Sequence, residues 1–310
     1  MIYRRGVTLL SPLVRKAVRF LLSLLFQKWR QHRSIYLLSL ENILGTRERI
    51  PLILSLRRVV KENKGRMTVA GNLWRFGQVE PTFLKYVGGH NARLLEIGPG
   101  LLNPFAVPFL FLLYGYCSQY FGVDISEFRW DFALYGLNVL IDDVIREPQK
   151  YRFSSRVHAV KSVENIIDFK ALRDEDTSEV FVDHVVKLFV YDGIHIDQIL
   201  PGTRDIDFCW SQDVFERLRQ PRTLIERIPH VMKPDGIMYT DTDFKDHFFR
   251  DKGKDEWSFL ERDTWTGSLN RLRAHEMIDG IIRDYFEVVK RVDTFKEIPP
   301  GRKERFSRHF

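Results

Sequence analysis

Asp241, Asp243, Asp246 and His247 stand within seven consecutive positions, and that grouping can move a proton or hold a cation. A neutral histidine beside a carboxylate is a general-base arrangement. His247 is the first candidate base, with Asp246 as its orienting partner or its substitute. The same two residues also suit a structural turn that caps the next element. Hard cations favour carboxylates, so Asp213, Asp241 and Asp243 compose a divalent-metal reading as well. No His/Cys cluster has structural zinc spacing, and the expected metal is none. A second constellation lies upstream: Glu96, the turn Gly98-Pro99-Gly100, and Asp124. Glycines let the backbone turn tightly and let a ligand approach main-chain atoms. A carboxylate such as Asp124 can accept two hydroxyl hydrogen bonds from a ribose diol.

These residues need a sheet edge to bring them together. Arg93 to Ile97 is a short apolar run stopped by glycine, which suits a buried parallel strand. Phe105 to Tyr120 is apolar and helix-length, and Tyr120 to Asp124 follows as the second strand. A βαβ unit places the first turn and the second strand's end on one edge, where open α/β sheets bind ligands. A dinucleotide asks for G-x-G-x-x-G, but Asn103 stands at the third glycine position. The charge of Glu96 is unfavourable beside a pyrophosphate and tolerable beside a cationic sulfonium. The balance favours S-adenosylmethionine over NAD.

LEIGPG followed by FGVDIS resembles the first two motifs of class I S-adenosylmethionine-dependent methyltransferases. The resemblance covers about residues 80–300. It implies an α/β, Rossmann-like fold with a mostly parallel central sheet flanked by helices. Residues 205–218, DIDFCWSQDVFERL, resemble the family's fourth-strand motif through Asp207, Ser211, Gln212, Asp213, Val214 and Glu216, with Arg217 where a histidine is usual. Residues 229–247 resemble the next segment: a helix ending at Lys233-Pro234-Asp235-Gly236, then a fifth strand from Ile237 to about Thr242. Ser154 to Val160 reads as the third strand, which puts Ser162 and Val163 at the adenine position. Residues 170–204 then read as an insertion, either shaping the substrate mouth or running through solvent. Phe286 to Val292 reads as a late strand. The RKERFSRHF end is poorly strand-like, so the family's last antiparallel strand is missing or formed elsewhere. Asp246-His247-Phe248 and Asn270-Arg271-Leu272-Arg273 resemble a bacterial subgroup of these enzymes. The implied donor set is Glu96, Gly98, Gly100, Asp124, Ser162, Val163, Ser211 and Gln212, with Asp207, Ser211 and Gln212 flooring the site.

Residues 249–275 form an expected cap, where Trp257, Phe259 and Trp265 line a pocket or simply pack. Arg271 and Arg273 face an anionic substrate group, or else pair with Glu261 and Asp263. The expected activity is methyl transfer to an oxygen, less favourably a nitrogen, of a small-molecule or glycan-linked acceptor. The alternative is a non-catalytic, membrane-associated scaffold that only binds the donor.

The chain of 310 residues has a net charge of +7, but residues 1–75 carry 16 Lys/Arg against 3 Glu. That leaves residues 76–310 at −6, which argues against a nucleic-acid-binding core. The division expected is a basic helical extension over 1–70 and the methyltransferase domain over 71–310. In residues 11–33, Val14, Val18, Leu21, Leu22, Leu25 and Trp29 share one helical stripe, opposite Arg15, Lys16, Arg19 and Arg30. That pattern suits an interfacial helix on an anionic membrane, or a helix packed on the protein. The apolar run Phe20–Phe26 is too short to span a bilayer. Cys117 and Cys209 are far apart with no C-x-x-C pairing, consistent with reduced thiols and a cytoplasmic location, peripheral to the inner membrane face.

Overall fold

A computed structural model describes residues 68–200, 204–218, 220–243 and 274–292. The N-terminal stripe 11–33, Asp246 and His247, and the cap side chains from Trp257 to Arg273 lie outside these residues.

The helices are α1 (Val69–Tyr86), α2 (Ala106–Leu113), α3 (Trp130–Arg146), α4 (Arg156–Glu164), α5 (Phe169–Asp174), α6 (Ile196–Ile199), α7 (Pro221–Arg227) and α8 (Ala274–Gly280). The strands are β1 (Ala92–Ile97), β2 (Cys117–Asp124), β3 (Val186–Val190), β4 (Ile206–Gln212) and β5 (Met232–Asp241). They form one sheet in the order β3-β2-β1-β4-β5. Every pairing is parallel. This is the Rossmann-like, doubly wound arrangement, with its switch in strand order at β1.

The chain divides into two compact units. One holds residues 79–99, 115–127 and 186 onward, and so contains the whole sheet. Leu95, Ile97, Phe121, Val123 and Cys209 line one sheet face, where Ile196 of α6, Leu224 and Ile225 of α7, and Met277 of α8 complete the core. On the other face Phe83, from the second half of α1, meets Phe208 edge-on at 5.5 Å, and Trp210 and Tyr120 continue the aromatic row. Two covered faces explain why β1 is buried at nearly every position rather than alternating. Both cysteines are buried and free, and burial raises both thiols well above their ordinary range.

Among the described residues, the other unit holds 68–78, 100–114 and 128–185. Thr68 Oγ1 accepts from the Gly71 N–H at 3.0 Å and starts α1 as an N-cap. Phe76 meets Phe111 of α2 at 5.1 Å, and Phe105 meets Phe181 at 5.3 Å. Asn103 is buried; its Nδ2 donates to Asn72 Oδ1 at 2.8 Å. An added Cβ on Gly136 of α3 would lie 2.5 Å from Asn103 Oδ1. The position where a dinucleotide fold keeps a glycine is therefore a buried anchor tied to α1 and pressed against α3.

Several expected elements differ. The helix after the glycine turn stops at Leu113, because Gly115 takes a left-handed φ of +67° and ends it, and β2 starts three residues earlier than expected. Ser154–Val160 is not a strand. Ser155 Oγ accepts from the His158 N–H at 3.2 Å and caps α4, whose buried residues Ala159 and Val163 repeat at helical spacing while Val157 is exposed. The third strand comes instead from the stretch read as an insertion. It is an edge strand, with exposed Lys187 on its sequence VKLFV. The helix before β5 ends at Arg227 with a 3₁₀ turn to His230, so Pro234 and Gly236 lie inside β5, at the register shift facing Ile206. Phe286–Val292 pairs with no strand among the described residues, and Val289 and Val292 face solvent. No helix among the described residues is long and apolar enough to cross a membrane.

Gly136→Ala should destabilise the protein by about 1–3 kcal/mol in denaturant melts, because the new methyl overpacks Asn103. The sign is informative: helix propensity alone favours alanine over glycine by about 1 kcal/mol.

Candidate donor and acceptor edge

The sheet register brings the carboxyl ends of the strands to one edge. Ile97 pairs with Val123 and with Ser211, Asp124 pairs with Val190, and Gln212 pairs with Asp241. Of the sequence-derived candidates, Glu96, Gly98, Asp124, Ser211 and Gln212 meet there within the sheet-bearing unit. Gly100 belongs to the other unit, with φ +88° and open space where a Cβ would go.

Gly98 is required twice over. Its φ is +75°, and a Cβ there would lie 2.3 Å from Val214 Cγ2, in the turn after β4. Its N–H donates to the Val123 carbonyl at 2.8 Å, extending the β1–β2 ladder into the turn. Glu96 is 1 % exposed and its Oε2 accepts from the Tyr120 hydroxyl. Gly122, opposite Glu96 on β2, leaves room that Leu188 and Pro99 use. Asp124 ends β2 with its Oδ1 3.3 Å from the Ser126 N–H.

Two sequence-derived candidates lie outside the sheet-bearing unit. Ser162 and Val163 sit on α4 in the other unit, and Val163 is fully buried. They do not follow a strand; the residues that follow the third strand are those after β3, which the sequence reading missed. There Asp192 Oδ1 accepts from the N–H groups of Ile194 (2.9 Å) and His195 (2.8 Å), and its Oδ2 meets His195 Nδ1. Those bonds, the His195 N–H foremost, pull the Asp192 carboxyl down to about 2. Its signal was legible: VKLFV followed by Asp192-Gly193 repeats the apolar-run, acid and glycine grammar of the first two strands. Asp207 also leaves the proposed floor. It lies at the amino end of β4, where it accepts from the Arg93 N–H at 2.7 Å and pairs with Lys233.

Beyond β4 the edge is acidic. Asp213 takes φ +55° and donates its N–H to the Asp241 carbonyl at 2.9 Å. Partial burial, then the charges of Asp213 and Asp243, raise the Asp241 carboxyl above its ordinary value. Glu216 is 1 % exposed, with Oε1 3.4 Å from Arg217 Nε. Burial pushes its carboxyl up to about 7. Among the described residues no group of three or more His, Cys, Asp or Glu is arranged to hold a metal ion.

The side chains of Ser211 and Gln212 are the strongest sign of a ligand. Ser211 Oγ and both amide atoms of Gln212 are buried and have no hydrogen-bond partner among the described residues. Orphaned buried polar atoms cost free energy unless something else satisfies them. Together with the Cβ-free turn at Gly98 and the carboxylates of Asp124 and Asp192, they fit a polar nucleoside ligand.

No family model matches the chain. No curated protein matches it. Among solved structures it is similar to a chain of the "complex between the Haloferax volcanii Trm112 methyltransferase activator and the putative methyltransferase", at 15% identity, over 68% of this chain and 71% of that one, with a TM-score of 0.34. At that identity and score the likeness bears on neither chemistry nor partners.

The Glu216 carboxyl binds its proton more tightly in the folded chain than at its ordinary 4.5, so stability is lost as pH rises from about 4.5 through about 7. Glu216→Gln should therefore unfold at higher denaturant than the parent at pH 8, by at most about 3 kcal/mol at 1.36 kcal/mol per unit. The difference should vanish below pH 4.5 in urea melts run across the range.

Proposed function

We propose that this chain transfers a methyl group from S-adenosylmethionine to an oxygen of a small-molecule or glycan-linked acceptor. The observation that carries the reading is the order β3-β2-β1-β4-β5 with a left-handed glycine just after β1, an acid ending β2 and another two residues past β3. Open α/β sheets bind ligands at such a switch point. When bound, S-adenosylmethionine would supply a methyl group on a positively charged sulfur.

The residues then divide the work. Asp124 would take the two ribose hydroxyls as hydrogen-bond donors. Asp192 and the main chain of Gly193 would stand at the adenine, the position that the resemblance gives to an acidic side chain and a backbone N–H. Glu96 sets the charge and the shape of the turn, held by Tyr120. Ser211 and Gln212 offer unused polar atoms on the β4 side. Alignment of an acceptor with a donor supplies much of the acceleration in a direct displacement. A hydroxyl acceptor also gives up a proton, and His247 is the proposed base, with Asp246 orienting it.

Calorimetric titration with S-adenosylmethionine and S-adenosylhomocysteine tests the donor. The expected result is micromolar binding that Asp124→Ala weakens about 100-fold, equivalent to about 2.7 kcal/mol. Unchanged affinity in the variant removes Asp124 from the site. His247→Ala should slow single-turnover methyl transfer about 100-fold or more while leaving donor affinity alone; an unchanged rate removes its role as base.

A further inference from the structure

The acidic turn after β4 is built against the glycine turn after β1. Val214 Cγ2 fills the space a Cβ at residue 98 would need, so its neighbour Asp213 is fixed next to the proposed donor cradle. The Asp213 N–H to Asp241 carbonyl bond joins that turn to the end of β5. Neither carboxylate makes an ion pair or a side-chain hydrogen bond among the described residues. Glu216 adds a third carboxyl close by, with Arg217 Nε 3.4 Å from its Oε1. Partial burial first, and then the like charges gathered there, raise the Asp241 carboxyl.

A second observation points to a ligand at the same place. Gln212 is the register partner of Asp241, so their side chains rise from the same sheet face as direct neighbours. Both polar atoms of the Gln212 amide are buried and, among the described residues, unpartnered. An amide oxygen and two carboxylates are all acceptors, and the group they lack is a cationic donor with several N–H bonds to give.

We infer that the methyl acceptor carries a protonated amine, and that Asp213, Asp241 and the Gln212 side chain seat its ammonium beside the transferred methyl. The inference rests on the proposed methyl transfer and specifies its substrate class. An ammonium donates three hydrogen bonds, one for each of these partners. Charge-assisted bonds of this kind are the strong ones. A neutral sugar or phenol would leave the two carboxylates without a counter-charge. The amine need not be the methylated atom, so an amino sugar or amino alcohol methylated on oxygen satisfies both this seat and the proposed reaction.

The test pairs glucosamine with N-acetylglucosamine, which differ in the charge on nitrogen. Each is titrated into the full chain at pH 7 by NMR, with and without S-adenosylhomocysteine. The expected result is at least tenfold tighter binding of glucosamine, reduced to no preference in an Asp213→Asn/Asp241→Asn double variant that keeps the parent's melting temperature and its S-adenosylhomocysteine affinity. Gln212→Leu, which alters no charge, should weaken glucosamine severalfold. Equal binding of the two sugars, absence of glucosamine binding, or a preference that survives in the double variant overturns the inference. So does displacement of glucosamine by equimolar magnesium, which would mark a metal seat. S-adenosylhomocysteine binding reports separately on the methyl-donor reading, so loss of that binding with the amine preference intact would contradict the reaction and not the amine seat.

Discussion

Val214 and Gly98 meet so closely that an ideal Cβ on residue 98 would stand 2.3 Å from Val214 Cγ2. That contact joins two turns, one leaving β1 and one leaving β4, and it exists because residue 98 is glycine with a left-handed backbone. A larger residue there would face strain of roughly 1–2 kcal/mol from the backbone and a steric overlap in addition. The ladder bond from the Gly98 N–H to Val123 locks the same turn to β2. Asp124, Asp213 and the register pair Gln212–Asp241 inherit their positions from this junction. A shift at residue 98 would therefore move the acids on β2 and β4 relative to one another.

The sheet beneath that junction carries a cost that the aromatic row helps to offset. Glu96 is a carboxylate inside a parallel sheet, and burying it without a partner would cost several kcal/mol. Tyr120 supplies the hydrogen bond, while Trp210 and Phe208 stack the row onward to Phe83. Buried acids retained in this way are functional-site candidates, although structural networks also produce them. Here the acid lies directly before the turn on which the proposed donor site depends.

The first two strands, their turn and Asp124 were legible because the signals were local: a short apolar run, glycines, and an acid at the end of a strand. The fourth strand was legible for the same reason. The third strand was not, because Ser154–Val160 and Val186–Val190 are both short runs of mixed character, and periodicity alone separates such runs poorly. The Ser155 cap and the Ala159–Val163 spacing marked the first as a helix. The Asp192-Gly193 pair marked the end of the second. Asp207 was misplaced since its type fitted a motif while its partners, Arg93 and Lys233, are set by sheet register and not by neighbours in sequence. The Asn103–Asn72–Gly136 packing was invisible for a like reason: it joins two helices and the loop before α2, far apart in the chain.

The most direct measurement is a crystal structure of the full chain with S-adenosylhomocysteine. The account requires the nucleoside to lie across the carboxyl ends of β1 and β2, with both ribose hydroxyls within hydrogen-bond distance of the Asp124 carboxylate and the adenine beside Asp192. A nucleoside bound anywhere else on the molecule, or one at this edge that leaves Asp124 untouched, would contradict it.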